Sequence, residues 1–223
     1  MGNDILNGLS TNELEKEIQK FVCEDQRALP LRAKVFAAIA KRQQFDVLPE
    51  VVSVEDLDKY VSEGCTELNR GISSTPGIPS NLYAKELIFG AMYPGTLSSY
   101  GNGIYFAVPS KVNAKYAPIF PKTSVIALKY TQVGTTSGVL IRAALKDGLK
   151  IADSDGLSTY FKENKNRCRR AGIKDLGAFA AALGFDAFYA DNVYDDTDER
   201  IYTVLNRGAL YVQKVGVMVE KSD

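Results

Sequence analysis

Apolar positions in the first part of the chain recur at helical spacing. Leu14, Ile18, Phe21 and Val22 follow Ser10 and Glu13, which form a capping-box pattern, so a helix is expected to start at Ser10. Leu29-Pro30 ends it, because proline has no amide hydrogen to give and its ring clashes with the preceding turn. A second helix is predicted over 31–43, with Val35, Phe36, Ile39 and Ala40 on one face. A third starts at Ser53, carries Leu57, Tyr60 and Val61, and stops at Gly64. Beyond Gly64 the helical spacing gives way to alternation and to glycine- and proline-rich turns. Strands are expected over 65–72, 104–107, 124–132, 139–145, 149–153, 185–190, 201–207 and 209–220. Short helices are expected over 82–92, 110–117, 156–171 and 175–184. The pattern therefore predicts a helical N-terminal segment, 1–63, and a strand-rich α+β domain, 64–223.

Composition narrows the chemistry. The chain has no histidine, which removes every Ser-His-Asp, Cys-His and His-ligated metal mechanism. Cys23, Cys65 and Cys168 are scattered with no CxxC pair, so no metal centre is expected and the thiols fit a reducing cytoplasm. Lys plus Arg is 27 and Asp plus Glu is 27, so the overall charge gives no sign of a duplex nucleic-acid binder, although a local basic patch remains open. No apolar run is long enough to cross a bilayer, and no membrane partner is expected. The start MGNDIL has neither a secretory pattern nor the Ser or Thr at position 6 that a myristoylation signal requires.

Chemistry must then come from carboxylates, guanidinium groups and hydroxyls. Arg70-Gly71 ends an apolar strand; the planar guanidinium suits bidentate phosphate contacts, and a glycine beside it allows close approach to the backbone. In GNGIYFAVPSKVNAKYA, 101–117, Gly101 and Gly103 flank Asn102 and clear space, and Tyr105 can offer a ring face to a flat ligand. Ser110, Asn113 and Tyr116 can line the same wall. The acidic run DDTDE, 195–199, can present a carboxylate at a strand edge, where it would stabilise a developing cation or accept from a ribose hydroxyl. A basic helix carrying Lys162, Lys165, Arg167, Arg169 and Arg170 reads either as a solvated face or as a contact for an acidic partner.

Together, NRGI, GNGIYFAVPSKVNAKYA and GFDAFYADNVYDDTDERIYTVLNRGAL resemble the three conserved regions of the ADP-ribosyltransferase superfamily. The first resembles the arginine version of mono-ADP-ribosyltransferase toxins, and the second the tyrosine version of the poly-ADP-ribose polymerase-like branch. The string YTVLNRGAL is similar to the ends of phage-encoded transferase domains. The resemblance covers roughly 64–214 and implies a split, mostly antiparallel β-sandwich with a central NAD cleft. It implies that NAD is the substrate and no metal is needed. Arg70 would hold the pyrophosphate or the adenine-side ribose, and the Gly71 backbone would pair with the nicotinamide amide. Gly101, Asn102, Gly103, Asn113 and Tyr116 would line the cleft, with Tyr105 stacked on nicotinamide. Glu199 would stabilise the cationic ribose, with Asp198 or Asp196 as substitutes in that slot. A neutral amide at 199 is then expected to keep the fold while lowering turnover. The acceptor implied is a macromolecule, expected to be protein, in the cytoplasm of the cell itself or of a host. A non-catalytic NAD-binding or interaction protein and an NAD glycohydrolase are the alternatives.

Overall fold

The computed structural model describes residues 31–45, 47–73, 101–112, 120–131, 137–191, 199–214 and 217–220. Helix α1 is Leu31–Arg42, strand β1 Glu50–Val52 and helix α2 Val54–Ser62. Strands β2 (Thr66–Ser73) and β3 (Ile104–Ala107) follow, then helix α3 (Val125–Thr131) and strands β4 (Ser137–Leu145) and β5 (Ile151–Asp153). Helices α4 (Ser154–Glu163), α5 (Lys165–Arg170) and α6 (Leu176–Ala182) precede strands β6 (Ala187–Asp191) and β7 (Arg200–Val204). A short 3-10 turn, Arg207–Ala209, leads to β8 (Leu210–Gln213) and β9 (Val217–Glu220).

The chain is α+β. One mixed sheet runs in the order β1-β8-β4-β2-β3-β7-β6-β5, with β9 also paired to β4. Only β1 with β8 and β5 with β6 are parallel; the other pairings are antiparallel. Successive residues of a strand face opposite sides, and the two faces have different cover. On one face Leu68, Ile72, Ile104, Phe106, Ile141 and Val204 form a cluster whose described members come from strands and their flanking residues. The other face carries helices. Val35, Phe36 and Ile39 of α1 pack with Phe179 of α6 and Phe188 of β6, and Leu57 of α2 packs with Ala144 of β4.

Several sequence expectations change. The segment before Gly64 is not purely helical: Glu50–Val52 is a strand that pairs with Tyr211, Val212 and Gln213, and α1 shares a core with α6. The chain on both sides of Gly64 therefore builds the same sheet and cores. The third helix begins and ends as predicted. Ser53 caps it by accepting from Asp56 N at 3.0 Å, and Gly64 follows at φ 113°. The basic helix is two helices broken at Asn164, and the final strand is two strands, β8 and β9.

The largest correction is at 124–132, which is helix α3 rather than a strand. Its backbone lies directly on two glycines of adjacent strands. A Cβ at Gly71 would sit 1.7 Å from Ala127 O, and one at Gly138 would sit 2.2 Å from Thr131 O. The space beside Arg70 is thus filled by the protein's own helix, not kept open for a ligand on that face. Residues 110–112 are not helical either; Lys111 bridges Thr123. The helices expected from Ser10 and over 82–92, the remainder of 110–117 with Asn113 and Tyr116, and the acidic loop with Asp196 and Asp198 lie outside the described residues.

Candidate functional site

Strands β2, β3 and β7 are neighbours, so Arg70, Tyr105 and Glu199, far apart in sequence, come to one region of the sheet. Asn69 pairs with Ala107, which pairs in turn with Ile201, and Tyr105 pairs with Thr203. Between β2 and β3 the register holds only at Asn69–Ala107, and the strands part immediately beyond it. Arg70 occupies this parting. Its Nη1 donates to the Tyr105 carbonyl at 2.7 Å, replacing a missing rung of the ladder.

By alternation Arg70 shares a face with Leu68 and Ile72, whereas Tyr105 shares the opposite face with Ala107 and Thr203. The two side chains therefore leave the sheet on opposite sides of the gap and meet through the Tyr105 main chain. Among the described residues, the buried Arg70 Nε has no hydrogen-bond partner and no carboxylate pairs with this guanidinium. Burial pulls its pKa down from the usual guanidinium range to about 10, and the nearby Tyr105 and Tyr130 rings oppose that shift only in part. It is still a cation at neutral pH. Arg142 shows the contrast. It is 1% exposed and donates to Asp58 at 2.6 Å and Glu67 at 2.5 Å, so its charge is matched within the fold.

The GNG loop is built around an acidic anchor. Gly101 and Gly103 adopt φ of 88° and 135°, which favours glycine. Asp175, the N-cap of α6, accepts from Asn102 N at 3.0 Å, Asn102 Nδ2 at 2.8 Å and Ala178 N at 2.9 Å. Gly177 lets the loop settle on the helix, since a Cβ there would be 1.7 Å from Asn102 O. Asn102 is buried, and its amide faces Asp175 rather than a cleft. Tyr105 remains half-buried and donates its hydroxyl to Gly101 O at 3.0 Å, which fixes the ring against the same loop.

Glu199 lies just before β7 and is 2% exposed. Its Oε1 accepts from Ser110 Oγ and from Val125 N at 2.8 Å. Its Oε2 accepts from Ser124 Oγ at 2.6 Å and Ile126 N at 3.1 Å. The carboxylate thus caps the first turn of α3 from a distant part of the chain, where backbone N–H groups lack intrahelical partners. Ser124 completes the junction. It accepts from Ala127 N at 3.0 Å and donates its own amide to Asn69 Oδ1 at 3.1 Å. Asn69 is fully buried, and among the described residues its Nδ2 has no hydrogen-bond partner.

The structure brings Arg70 and Tyr105 into contact and places Glu199 on the neighbouring strand's entry, with its oxygens directed to α3. Sequence reasoning missed Asn69, Ser124 and Asp175. Only Asp175 carried a signal, as an acidic residue at the start of a predicted helix. Among the described residues no cluster of three or more acidic or cysteine side chains could hold a metal ion, and no helix is long and apolar enough to cross a membrane. No family model, curated protein or solved structure matches the chain.

Proposed function

We propose that this protein binds NAD and transfers its ADP-ribose unit to a macromolecular acceptor with release of nicotinamide. The observation that carries this reading is Arg70. Its Nε is buried in a parting of two strands with no hydrogen-bond partner, and among the described residues no carboxylate pairs with the guanidinium, so an anion from outside the chain would match it. The diphosphate of NAD supplies such an anion, and guanidinium–phosphate pairing is bidentate and charge-assisted. Tyr105 borders the same gap through its carbonyl and holds a half-buried ring beside the glycine loop. The strand-built cluster on the Arg70 face is compatible with a split sandwich whose opening lies at this parting.

In the proposed reaction the bond between ribose C1′ and the nicotinamide nitrogen breaks, and the electron pair leaves with nicotinamide. The acceptor's nucleophile then bonds to C1′ and gives up its proton. Glu199 would face the cationic ribose, oriented by Ser110 and Ser124. One observation favours a second reading, an NAD-binding protein without turnover: both Glu199 oxygens are already occupied, and the residue is buried.

Calorimetric titration with NAD, followed by nicotinamide release with and without a cell lysate, separates these cases. Arg70→Ala should weaken NAD binding about ten- to a hundredfold, the loss expected for a charged hydrogen bond of about 1.5–3 kcal/mol. Unchanged affinity in that variant removes Arg70 from the site. Release that needs lysate supports transfer, release without it supports hydrolysis, and binding without release supports the second reading.

A further inference from the structure

The end of α4, α5 and the turn that follows concentrate positive charge. Between residues 162 and 174 the chain carries Lys162, Lys165, Arg167, Arg169, Arg170 and Lys174 against the single acid Glu163. The 27 basic and 27 acidic residues of the whole chain balance, so this excess is local. All six cations are exposed, and α5 buries only Cys168. Among the described residues Lys162, Lys165, Arg169, Arg170 and Lys174 form no ion pair and no side-chain hydrogen bond.

We infer that this surface binds the phosphate backbone of a nucleic acid. Charge alone would suit any polyanion, and the apolar content decides among them. A protein interface has an apolar core ringed by polar groups, and a membrane-surface helix pairs its cations with an apolar face inserted among lipids. The exposed large hydrophobic residues described are Val47, Leu48, Val112, Tyr130 and Ile151, none of them on α4 or α5. What the surface offers instead is guanidinium forks and ammonium groups, the donors that phosphate contacts use without reading sequence. The patch also runs into the candidate site: Lys174 immediately precedes Asp175, which anchors the loop of Gly101, Asn102 and Gly103. A bound strand would therefore lie next to that loop, although the binding inferred does not depend on any activity there.

The test is fluorescence anisotropy of the full chain with a labelled single-stranded RNA of about 20 nucleotides, as a function of salt. A triple variant, Lys165→Gln with Arg169→Gln and Arg170→Gln, should weaken binding at least about tenfold at low salt, and the slope of log K against log salt should fall by about 2, near 0.7 per lost phosphate contact. The single variant Arg170→Gln should reduce the slope by about 0.7, which gives a second reading if the triple variant does not fold. An affinity that neither variant changes overturns the proposal, as does wild-type protein that leaves the RNA free at low salt. Equal or tighter binding to polyglutamate, or to vesicles of anionic phospholipid, overturns it in favour of an acidic protein or a membrane surface.

Discussion

Replacing Glu199 should destabilise the fold before it reveals anything about turnover. In the wild type two backbone donors, Val125 N and Ile126 N, and two hydroxyls, Ser110 Oγ and Ser124 Oγ, are satisfied by one buried carboxylate. A glutamine has a single acceptor oxygen. Its amide nitrogen must face one of the two N–H groups, and that donor loses its partner. The hydroxyls can rotate, but the backbone amides cannot. An orphaned buried donor costs about 1–3 kcal/mol. Loss of the negative charge at a helix N-terminus costs roughly another 0.3–1 kcal/mol. Glu199→Gln should therefore lose about 1.3–4 kcal/mol, and Glu199→Ala more, since both amides are then orphaned. For a chain of this size that corresponds to a fall in Tm of roughly 3–15 °C. Urea unfolding followed by far-ultraviolet circular dichroism suits a chain without tryptophan. Ser124→Ala should be costly too, because Ser124 Oγ both supports Glu199 and accepts from Ala127 N. Ser110→Ala should be milder, since Ser110 is exposed and water can take its place. A Glu199→Gln variant within about 0.5 kcal/mol of wild type, with an unchanged denaturant slope, would refute the capping argument.

Other perturbations address the surrounding residues. Tyr105→Phe removes the bond to Gly101 O and should lower stability by about 0.5–1.5 kcal/mol while leaving NAD affinity near wild type; Tyr105→Ala should lose affinity in calorimetry. Equal loss in both would assign the role to the hydroxyl. Gly71→Ala forces a methyl into Ala127 O and should cost about 3 kcal/mol or more, read from chemical denaturation; near-neutral stability would mean that α3 does not rest on β2 as described.

The sequence pattern was most informative where one element's own residues determine it. Helix α2 has its cap, its apolar stripe and its terminal glycine within a dozen residues, and all three are legible. Helix α3 has none of this autonomy. SVIALKYT is short and apolar enough to fit either period, a recognised ambiguity of brief apolar runs. What makes it a helix is Glu199 at its N-terminus and two glycines beneath its backbone, on β2 and β4, and none of these is local. The same holds for the candidate site. Arg70, Tyr105 and the glycine loop stood out because their residue types are unusual at strand ends. Asn69 and Ser124 did not, because a buried Asn and a Ser before an apolar run are unremarkable until the fold joins them through a 3.1 Å bond. The glycines were legible as special, but the reason was not: Gly71 and Gly101 make room for α3 and Asp175.

Structural and chemical roles are therefore distributed unequally over the residues that a mechanism would use. Arg70 makes one carbonyl bond within the fold, and its Nε is buried with no hydrogen-bond partner among the described residues, which opposes folding. A group retained at such a cost is a candidate for a role outside the fold. Glu199 is the reverse case. Its bonds to Ser124, Val125 and Ile126 stabilise the junction of α3 with β7, and through Ser124 and Asn69 that junction reaches β2, the strand of Arg70. A loss of activity on changing Glu199 has two explanations, chemistry or displacement of α3, and rate measurements alone do not separate them. A loss on changing Arg70 has one, provided the fold is shown intact. The proposal for NAD is accordingly decided at Arg70 by binding, and the role of the carboxylate becomes interpretable only in a Glu199 variant whose stability has first been measured.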